Sequence, residues 1–325
     1  MKKLFCAFVL LAFVGCSDGV DSGGTTDNNN NNNNNNTTNE ENTGSTEDTP
    51  AEFVPSFTPR YAADSEIKVM SFNVRLKTTE DNPANEWSNR ESACITMIKH
   101  QQPTIFGVQE AKYTSQFMVL KEALAATYDS YGLNRDSGEA SGDGETMAIF
   151  YDKSKIKFIE GGTFWLSDTP DVCSKGWDGA CNRTATWGLF EHIATGKTFC
   201  YINTHLDHKG AEAKMNGPKV IMEHFKKFNP DGIYPQFLTG DMNLSADHEA
   251  LDVFEETMVN TRSAAPSNRT DNSATSNGWK KTSKSIIDHI FCSKDMEVME
   301  YHTVNEDYGV EFISDHYPIY AIIKM

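Results

Sequence analysis

The sequence predicts an α+β fold, a four-layer α/β/β/α sandwich in which two mixed β-sheets pack face to face with helices outside. Three observations carry this. Strand-like apolar runs and amphipathic helical stretches interleave from Ile67 to the C-terminus, and several successive strands lie close enough to be joined as hairpins. No internal repeat and no second composition break divides this part of the 325-residue chain, so it reads as one domain.

The chain ahead of that domain is of another kind. Met1–Cys16 carries Lys2 and Lys3, the apolar run Leu4–Val14 and then Gly15-Cys16, the pattern of a bacterial lipoprotein signal peptide (1–16) with Cys16 as the lipidated residue. The run is too short for a permanent transmembrane anchor. Residues 17–60, with the unbroken Asn28–Asn36, have almost nothing apolar to bury before Phe53, Val54 and Phe57 and read as a disordered tether. The globular domain is then 61–325, expected to be monomeric and held at the cell envelope, on the outer membrane, in periplasmic or surface-exposed orientation.

Within the domain the expected elements run in order. Ile67–Leu76 is a strand, Arg90–Gln102 a helix stopped by Pro103, Thr104–Val108 a strand and Gln116–Ala126 a helix with Phe117, Leu120 and Leu124 on one face. Thr146–Tyr151 and Lys157–Leu166 are strands. Thr184–Ile193 and Thr198–His205 form a hairpin around Ala194–Lys197. Met215–Phe228 is a helix with Gly217-Pro218 in its first turn, Gln236–Leu238 a buried strand broken by Gly240, and Asp247–Met258 a helix. Strands at Ser285–Ser293, Met296–Val304 and His316–Ile323 close the chain.

Net charge is −17; residues 1–60 hold three basic and eight acidic residues, leaving 26 against 38 and a net −12 over 61–325. Such a domain repels long polyanions unless cations or a local basic rim intervene. Of the cysteines past Cys16, Cys173 and Cys181 flank a polar loop and could pair as a disulfide, whereas Cys200 and Cys292 sit in apolar runs as small buried residues.

The chemistry lies where apolar runs end. Phe72-Asn73, Gln109-Glu110, Asn203-Thr204-His205, Gly240-Asp241-Met242-Asn243, Ile287-Asp288-His289 and Ser314-Asp315-His316 each put a carboxylate, amide or imidazole at a strand terminus. A buried strand needs no charged end, so six such termini point to one site. Carboxylates and amides suit a hard divalent cation, and histidines suit proton transfer or stabilisation of a charged oxygen. Taken alone, Gly240-Asp241-Met242-Asn243 is an Asx-rich turn. No CxxC or HExxH pattern indicates zinc. His289 is expected to point away from the site because strand neighbours face opposite sides, and Asp207, His208, His248 and His302 read as surface residues.

With Ser71-Phe72-Asn73, His205-Leu206, Ile287–Phe291 and Ser314–Pro318 in order around these positions, the chain resembles the endonuclease/exonuclease/phosphatase superfamily, with its DNase I-like fold. Gly162–Ser167 and Asn182–Trp187 resemble a secreted and lipoprotein branch of Gram-negative bacteria. The resemblance implies Mg2+, with Mn2+ as the alternative, held chiefly by Glu110 and assisted by Asn73 and Asp315. It implies that Asp241 orients or deprotonates the attacking water and that Asn243 holds that water or a phosphate oxygen. His316, oriented by Asp288, would contact the phosphoryl group, and His205 would stabilise the transition state or act as general acid. Arg183 would be a phosphate clamp or a structural ion-pair partner.

The resulting expectation is a metal-dependent phosphodiesterase or phosphatase acting outside the cytoplasm on nucleic acid, phospholipid head groups or phosphorylated glycans. Two other readings stand beside it: a nuclease with Lys280, Lys281 and Lys284 as a basic rim, and a non-catalytic binding lipoprotein.

Overall fold

The structure, a computed structural model, describes residues 53–325. The signal peptide, Cys16 and most of the tether lie outside the described residues. In chain order the elements are β1 (Glu66–Asn73), α1 (Trp87–Gln101), β2 (Ile105–Gln109), β3 (Ala111–Lys112), α2 (Met118–Leu124), β4 (Tyr128–Tyr131), β5 (Glu145–Thr146), β6 (Ile149–Asp152), β7 (Ile156–Trp165), β8 (Thr184–His192), β9 (Lys197–His205), α3 (Ala211–Phe228), β10 (Gln236–Asp241), α4 (Asp252–Glu255), β11 (Met258–Asn260), α5 (Thr261–Ala264), β12 (Asp288–Ser293), β13 (Val298–Thr303) and β14 (Ile319–Lys324).

Two six-stranded mixed sheets, ordered β13-β14-β1-β2-β6-β4 and β11-β12-β10-β9-β8-β7, stack face to face. Ile67, Val69, Ile105 and Ala321 of the first meet Phe199, Tyr201, Phe237 and Ile290 of the second in the central layer. Met70, Phe72, Phe106 and Val108 on the first sheet's outer face pack against α1 and α2, through Ala93, Met97, Phe117 and Leu120. Ile202 and Leu238 on the second pack against Ile221 and Phe225 of α3 and Phe254 of α4. This is the α/β/β/α sandwich that the interleaved pattern predicts.

Each sheet contains one parallel pair, β1 with β2 and β9 with β10. The other neighbours run antiparallel, so β12 begins beside the end of β10, with Asp288 opposite Asp241, and β14 begins beside the end of β1. Asp288 and Asp315-His316 therefore stand at strand starts rather than at the strand ends expected from sequence. The antiparallel direction brings them to the same edge.

Period-two alternation does the rest. Ile67, Val69, Ser71 and Asn73 share one face of β1, Phe199, Tyr201, Asn203 and His205 one face of β9, and Phe237, Thr239 and Asp241 one face of β10. Each row is apolar at one end and polar at the other. The central layer is thus oily at one edge and hydrogen-bonding at the other.

Other local differences have physical causes. Gln102 takes the left-handed conformation at φ 48° and ends α1 one residue before Pro103, with its N–H on the Ile98 carbonyl at 3.0 Å. A π turn over Tyr113–Phe117 precedes α2, so the helix starts later than Gln116. Helix α3 starts at Ala211, four residues earlier than expected, because Asp178 Oδ1 caps its free amides through Ala213 N at 2.9 Å; Pro218 therefore lies inside the helix. The stretch 247–258 divides into a 3-10 turn at Glu249–Leu251, which His248 caps through Ala250 N at 3.1 Å, then α4 and the start of β11.

Candidate active site

At the polar edge the two sheets are tied before the site begins. Asn203 Nδ2 donates to the Val108 and Ala148 carbonyls at 2.9 and 3.0 Å, and its Oδ1 accepts from Gln109 Nε2 at 2.6 Å and Thr239 Oγ1 at 3.1 Å. A Cβ at Gly107 would run into the Asn203 side chain, so only glycine lets the sheets approach this closely. All of these partners are buried, and the four hydrogen bonds of Asn203 across the layer fix the strand ends beyond them.

Past this brace the backbone turns sharply. Arg75, Glu110 and Asn243 all adopt left-handed conformations, at φ 58°, 62° and 51°. Non-glycine residues reach that region at a cost, and three around one cleft mark a strained, function-bearing edge. At Asn243 the turn is held by its N–H on Asp241 Oδ1 at 2.9 Å. The Asx turn and the site are therefore the same structure. Gln116 braces the other turn, donating to the Arg75 carbonyl at 2.8 Å and accepting from Lys77 N at 2.7 Å.

Asp241 Oδ2 is the point of convergence. It lies 3.0 Å from Asn73 Nδ2, 3.4 Å from His205 Nε2 and 3.7 Å from His316 Nε2. Two sets of ligand-type atoms lie within 4.8 Å of one another, Glu110 with His205 and Asp241, and Asp241 with Asp288 and His316. His316 Nδ1 is 2.8 Å from Asp288 Oδ2, which turns Nε2 toward Asp241, as expected for an oriented imidazole. Asn243 Nδ2 donates to the Leu206 carbonyl and approaches His205 Nε2, both at 3.0 Å.

Burial and charge set the proton positions. Burial pushes the Asp241 carboxyl up to about 7, against the pull of His316 and with the neighbouring Asp288 adding to the rise. At His316 burial opposes the imidazolium, but the carboxylates of Asp288 and Asp241 outweigh it and hold the pKa well above the usual histidine value. His205 is driven the other way, by burial first and then by the nearby cations Arg183 and Arg135, so it is neutral.

Two expected ligands sit differently. Asn73 faces Glu110 Oε1 and Asp241 Oδ2 with its Nδ2, at 2.9 and 3.0 Å, and its Oδ1 is taken by Arg75 N at 2.9 Å. It bridges two carboxylates rather than presenting an oxygen to a cation. Asp315 is outside both close sets, with Oδ2 3.8 Å from Arg75 Nη1.

The remaining residues sort out plainly. Arg183 lines the cleft and is an ion-pair partner, with Nε 3.6 Å from Asp207 Oδ2. Asp207, read as a surface residue, is buried, accepting from Lys209 N and Gly210 N at 2.8 Å each. His208 is exposed at the cleft rim. His289 points away, onto the Leu244 carbonyl at 2.9 Å. Among the described residues all cysteines are free, Cys173 and Cys181 included. Trp177 packs against the core under α3.

Sequence reading missed Arg75, Arg135 and Glu145. They join Glu110, His205, Asp241, Asn243 and His316 around a cavity of about 300 Å³. Arg75 and Arg135 follow Asn73 and Asn134 closely, but arginine in a loop carries no signal by itself.

The family model described as Endonuclease/Exonuclease/phosphatase family matches residues 70–316. The chain belongs to the endonuclease/exonuclease/phosphatase family. Among solved structures it is similar to an endonuclease/exonuclease/phosphatase family protein from Bacteroides thetaiotaomicron, at 32% identity and TM-score 0.73 over 79% of this chain and 97% of that one. A mannosyl-6-phosphatase from Bacteroides thetaiotaomicron VPI-5482 is similar at 32% identity and TM-score 0.74, over 80% and 100%. A third, from Bacteroides vulgatus, is 30% identical with TM-score 0.73, over 80% and 99%. No curated protein matches the chain. In this member the strand termini at Asn73, Glu110, His205, Asp288 and His316 meet around Asp241.

Proposed function

We propose that this protein is a divalent-cation-dependent phosphoester hydrolase of the cell envelope, attacking its substrate in line with water. The convergence of Glu110, His205, His316 and Asn73 on Asp241 carries the reading. The donor set fits a hard cation: two carboxylates face each other across one amide, and burial has made a proton at Asp241 the substitute for a cation. Glu110 and Asp241 would hold Mg2+, or Mn2+. When bound, the cation neutralises phosphate oxygens and leaving-group charge.

The chain's own groups do the rest. Asp241 orients the attacking water and accepts its proton, and Asn243, with Nδ2 on the Leu206 carbonyl and beside His205 Nε2, holds the His205 ring next to that water. His316, kept cationic by Asp288, donates through Nε2 to a phosphoryl oxygen, and neutral His205 offers a hydrogen bond to the negative charge that develops. Asn73 holds Glu110 and Asp241 at fixed separation, and Asp81, accepting from Arg75 Nη2 and Nε at 2.7 and 3.2 Å, keeps Arg75 at the rim with Asp315 farther off at 3.8 Å.

A phosphorylated glycan is the substrate class favoured by the 32% similarity to a mannosyl-6-phosphatase and by the acidic surface. Lys280, Lys281 and Lys284 do not line the cleft, and Lys281 is 3.8 Å from Glu311, both strongly exposed, which gives a nuclease little to use. The Met1–Cys16 leader supports lipid anchoring of a monomer, tested by loss of fatty-acid labelling in Cys16→Ala. Turnover of aryl phosphoesters in Mg2+, abolished by EDTA and reduced at least about 10³-fold in Asp241→Ala, is the expected result. Metal-independent turnover, or an active Asp241→Ala, would sink the reading. A panel of mannose 6-phosphate, phosphatidylcholine vesicles, RNA and plasmid DNA ranks the substrate classes.

A further inference from the structure

One wall of the cleft is cationic, and none of the steps above needs it. Arg135 follows β4 and Arg183 directly precedes β8, and both are buried to better than nine-tenths. Both guanidinium groups have carboxylates beside them: Arg135 Nη1 is on Glu145 Oε2 at 2.5 Å with Nε 3.9 Å from the exposed Asp136 Oδ1, and Arg183 Nε is 3.6 Å from Asp207 Oδ2. At those separations the Nε–H groups of Arg135 and Arg183 face carboxylates without a hydrogen bond, and both, like Nδ1 of His205, are buried with no hydrogen-bond partner. A purely structural ion pair does not leave such donors unmade, since each orphaned buried donor costs about 1–3 kcal/mol.

The third member is His208. Its Nδ1 is 2.9 Å from Arg183 Nη2. A guanidinium has donors only, so Nδ1 accepts and the proton of the neutral ring is on Nε2, a further donor at the exposed rim. Arg135 is also held in advance of any ligand. Its N–H bonds the Glu145 carbonyl at 2.9 Å, and its carbonyl accepts from Trp165 Nε1 at 2.7 Å.

The other wall carries the carboxylates of Glu110 and Asp241, while Asp288 and Asp315 stand off the cavity beside His316 and Arg75. A ligand that satisfies both walls carries charge and acceptor oxygens toward Arg135 and Arg183 while its reacting side faces Asp241. A phosphate monoester has three terminal oxygens and two negative charges. A diester has two such oxygens and one charge, and its second ester group would press into the arginine wall of a cavity of only about 300 Å³. We propose that Arg135, Arg183 and His208 form a dianion-reading subsite that makes this enzyme a phosphomonoesterase, with Arg135 the residue that sets monoester over diester preference. The inference rests on the phosphoester hydrolase reading and adds the substrate class to it.

The test uses the full chain with Mg2+. Turnover of 4-nitrophenyl phosphate and of bis(4-nitrophenyl) phosphate is compared in the parent, Arg135→Met, Arg135→Lys and Arg183→Met, and inorganic phosphate binding is followed by calorimetry. The monoester-to-diester ratio of kcat/KM is expected to favour the monoester in the parent and to drop at least about 30-fold in Arg135→Met, with phosphate affinity down about tenfold or more. Arg135→Lys keeps the charge and the Glu145 ion pair, so it guards against misfolding; it is expected to lose part of the ratio because an ammonium lacks the fork. A parent that prefers the diester overturns the proposal. So do Arg135 variants that lose both activities in equal proportion, or a ratio within twofold of the parent in both. If the parent turns over neither ester, hydrolysis itself is the failed claim, and the phosphate titration still decides the subsite: binding that is lost in Arg135→Met supports it, and no binding to the parent overturns it.

Discussion

Asp241 is where stability and function oppose each other at the level of one residue. Its folded pKa of about 7 lies above the ordinary carboxyl value of 3.8, so the folded protein binds this proton more tightly than the unfolded chain. The stability that this contributes is complete below about pH 4 and is lost as pH rises through about 7. Asp241→Asn does not titrate, and in EDTA it should match the parent at pH 4 and exceed its Tm by roughly 5 °C at pH 8, because a carboxylate that burial and Asp288 disfavour is gone. The same variant should lose at least about 10³-fold in kcat and show no Mg2+-induced rise in Tm, whereas the parent at pH 8 should show one. Equal destabilisation of Asp241→Asn at both pH values would contradict this account. From the sequence Asp241, Asp288 and His316 were legible as site residues because an acid or imidazole at the end of a buried run has no packing reason to be there. What could not be read was which atoms would meet: Asn73 turning its nitrogen to the carboxylates, or Asp315 standing off beside Arg75, depends on left-handed backbone at Arg75 and Glu110 that residue types do not announce.

Strand β2 shows the same division among the elements. Its run Ile105–Gln109 is readable as a strand, and Gly107 reads only as a weakness in it. In the folded molecule Gly107 is where β9 and β10 come nearest, with Asn203 and Thr239 filling the space that a Cβ would need. Gly107→Ala should therefore push the sheets apart or break the Asn203 hydrogen bonds, lowering unfolding free energy by about 2–4 kcal/mol in urea titration and reducing kcat along with it. A smaller control is Gly196→Ala. Gly196 turns the β8–β9 hairpin at φ 66° with nothing near its Cβ, so the cost there is backbone strain of about 1 kcal/mol and the activity stays. If Gly107→Ala were no worse than Gly196→Ala, the inter-sheet brace would not be what positions the site. Sequence periodicity gives the alternation in β1, β9 and β10 but not their partners, since pairing β12 and β14 antiparallel to them is a property of the assembled sheets. The short strand β4 and helix α5 carry too few apolar residues to stand out from loops.

For the whole molecule, the boundary between tether and domain is the feature that composition alone draws in a different place. Polar composition carries the tether to residue 60, yet Phe57 packs edge-on against His100 and Tyr308, with ring centroids 4.8 and 5.6 Å away. Arg60 pairs with Glu66 at 2.7 Å and Glu300 at 3.4 Å. The fully buried Lys68 ammonium donates to the Arg60 carbonyl at 2.9 Å as well as to Gln101 O and Oε1 at 2.8 Å each. Few residues in this stretch are apolar, but Phe57 and the Arg60 carbonyl close contacts that the domain otherwise leaves open, and composition averages cannot see that. A chain starting at Tyr61 should consequently be less stable than one starting at Phe53, by about 2–4 kcal/mol: one aromatic side chain returned to water and one acceptor removed from a buried ammonium. Its catalysis should survive. Arg60 precedes β1, Lys68 lies near its start and Asn73 at its end, roughly 17 Å from Lys68 along the strand at about 3.3 Å per residue, with the oily half of the central layer between them. Urea midpoints and kcat/KM on the two chains measure both halves of this. Equal midpoints would mean that residues 53–60 merely rest on the surface, and a large loss of kcat/KM at full folding would mean that the far edge of the sandwich is coupled to the site.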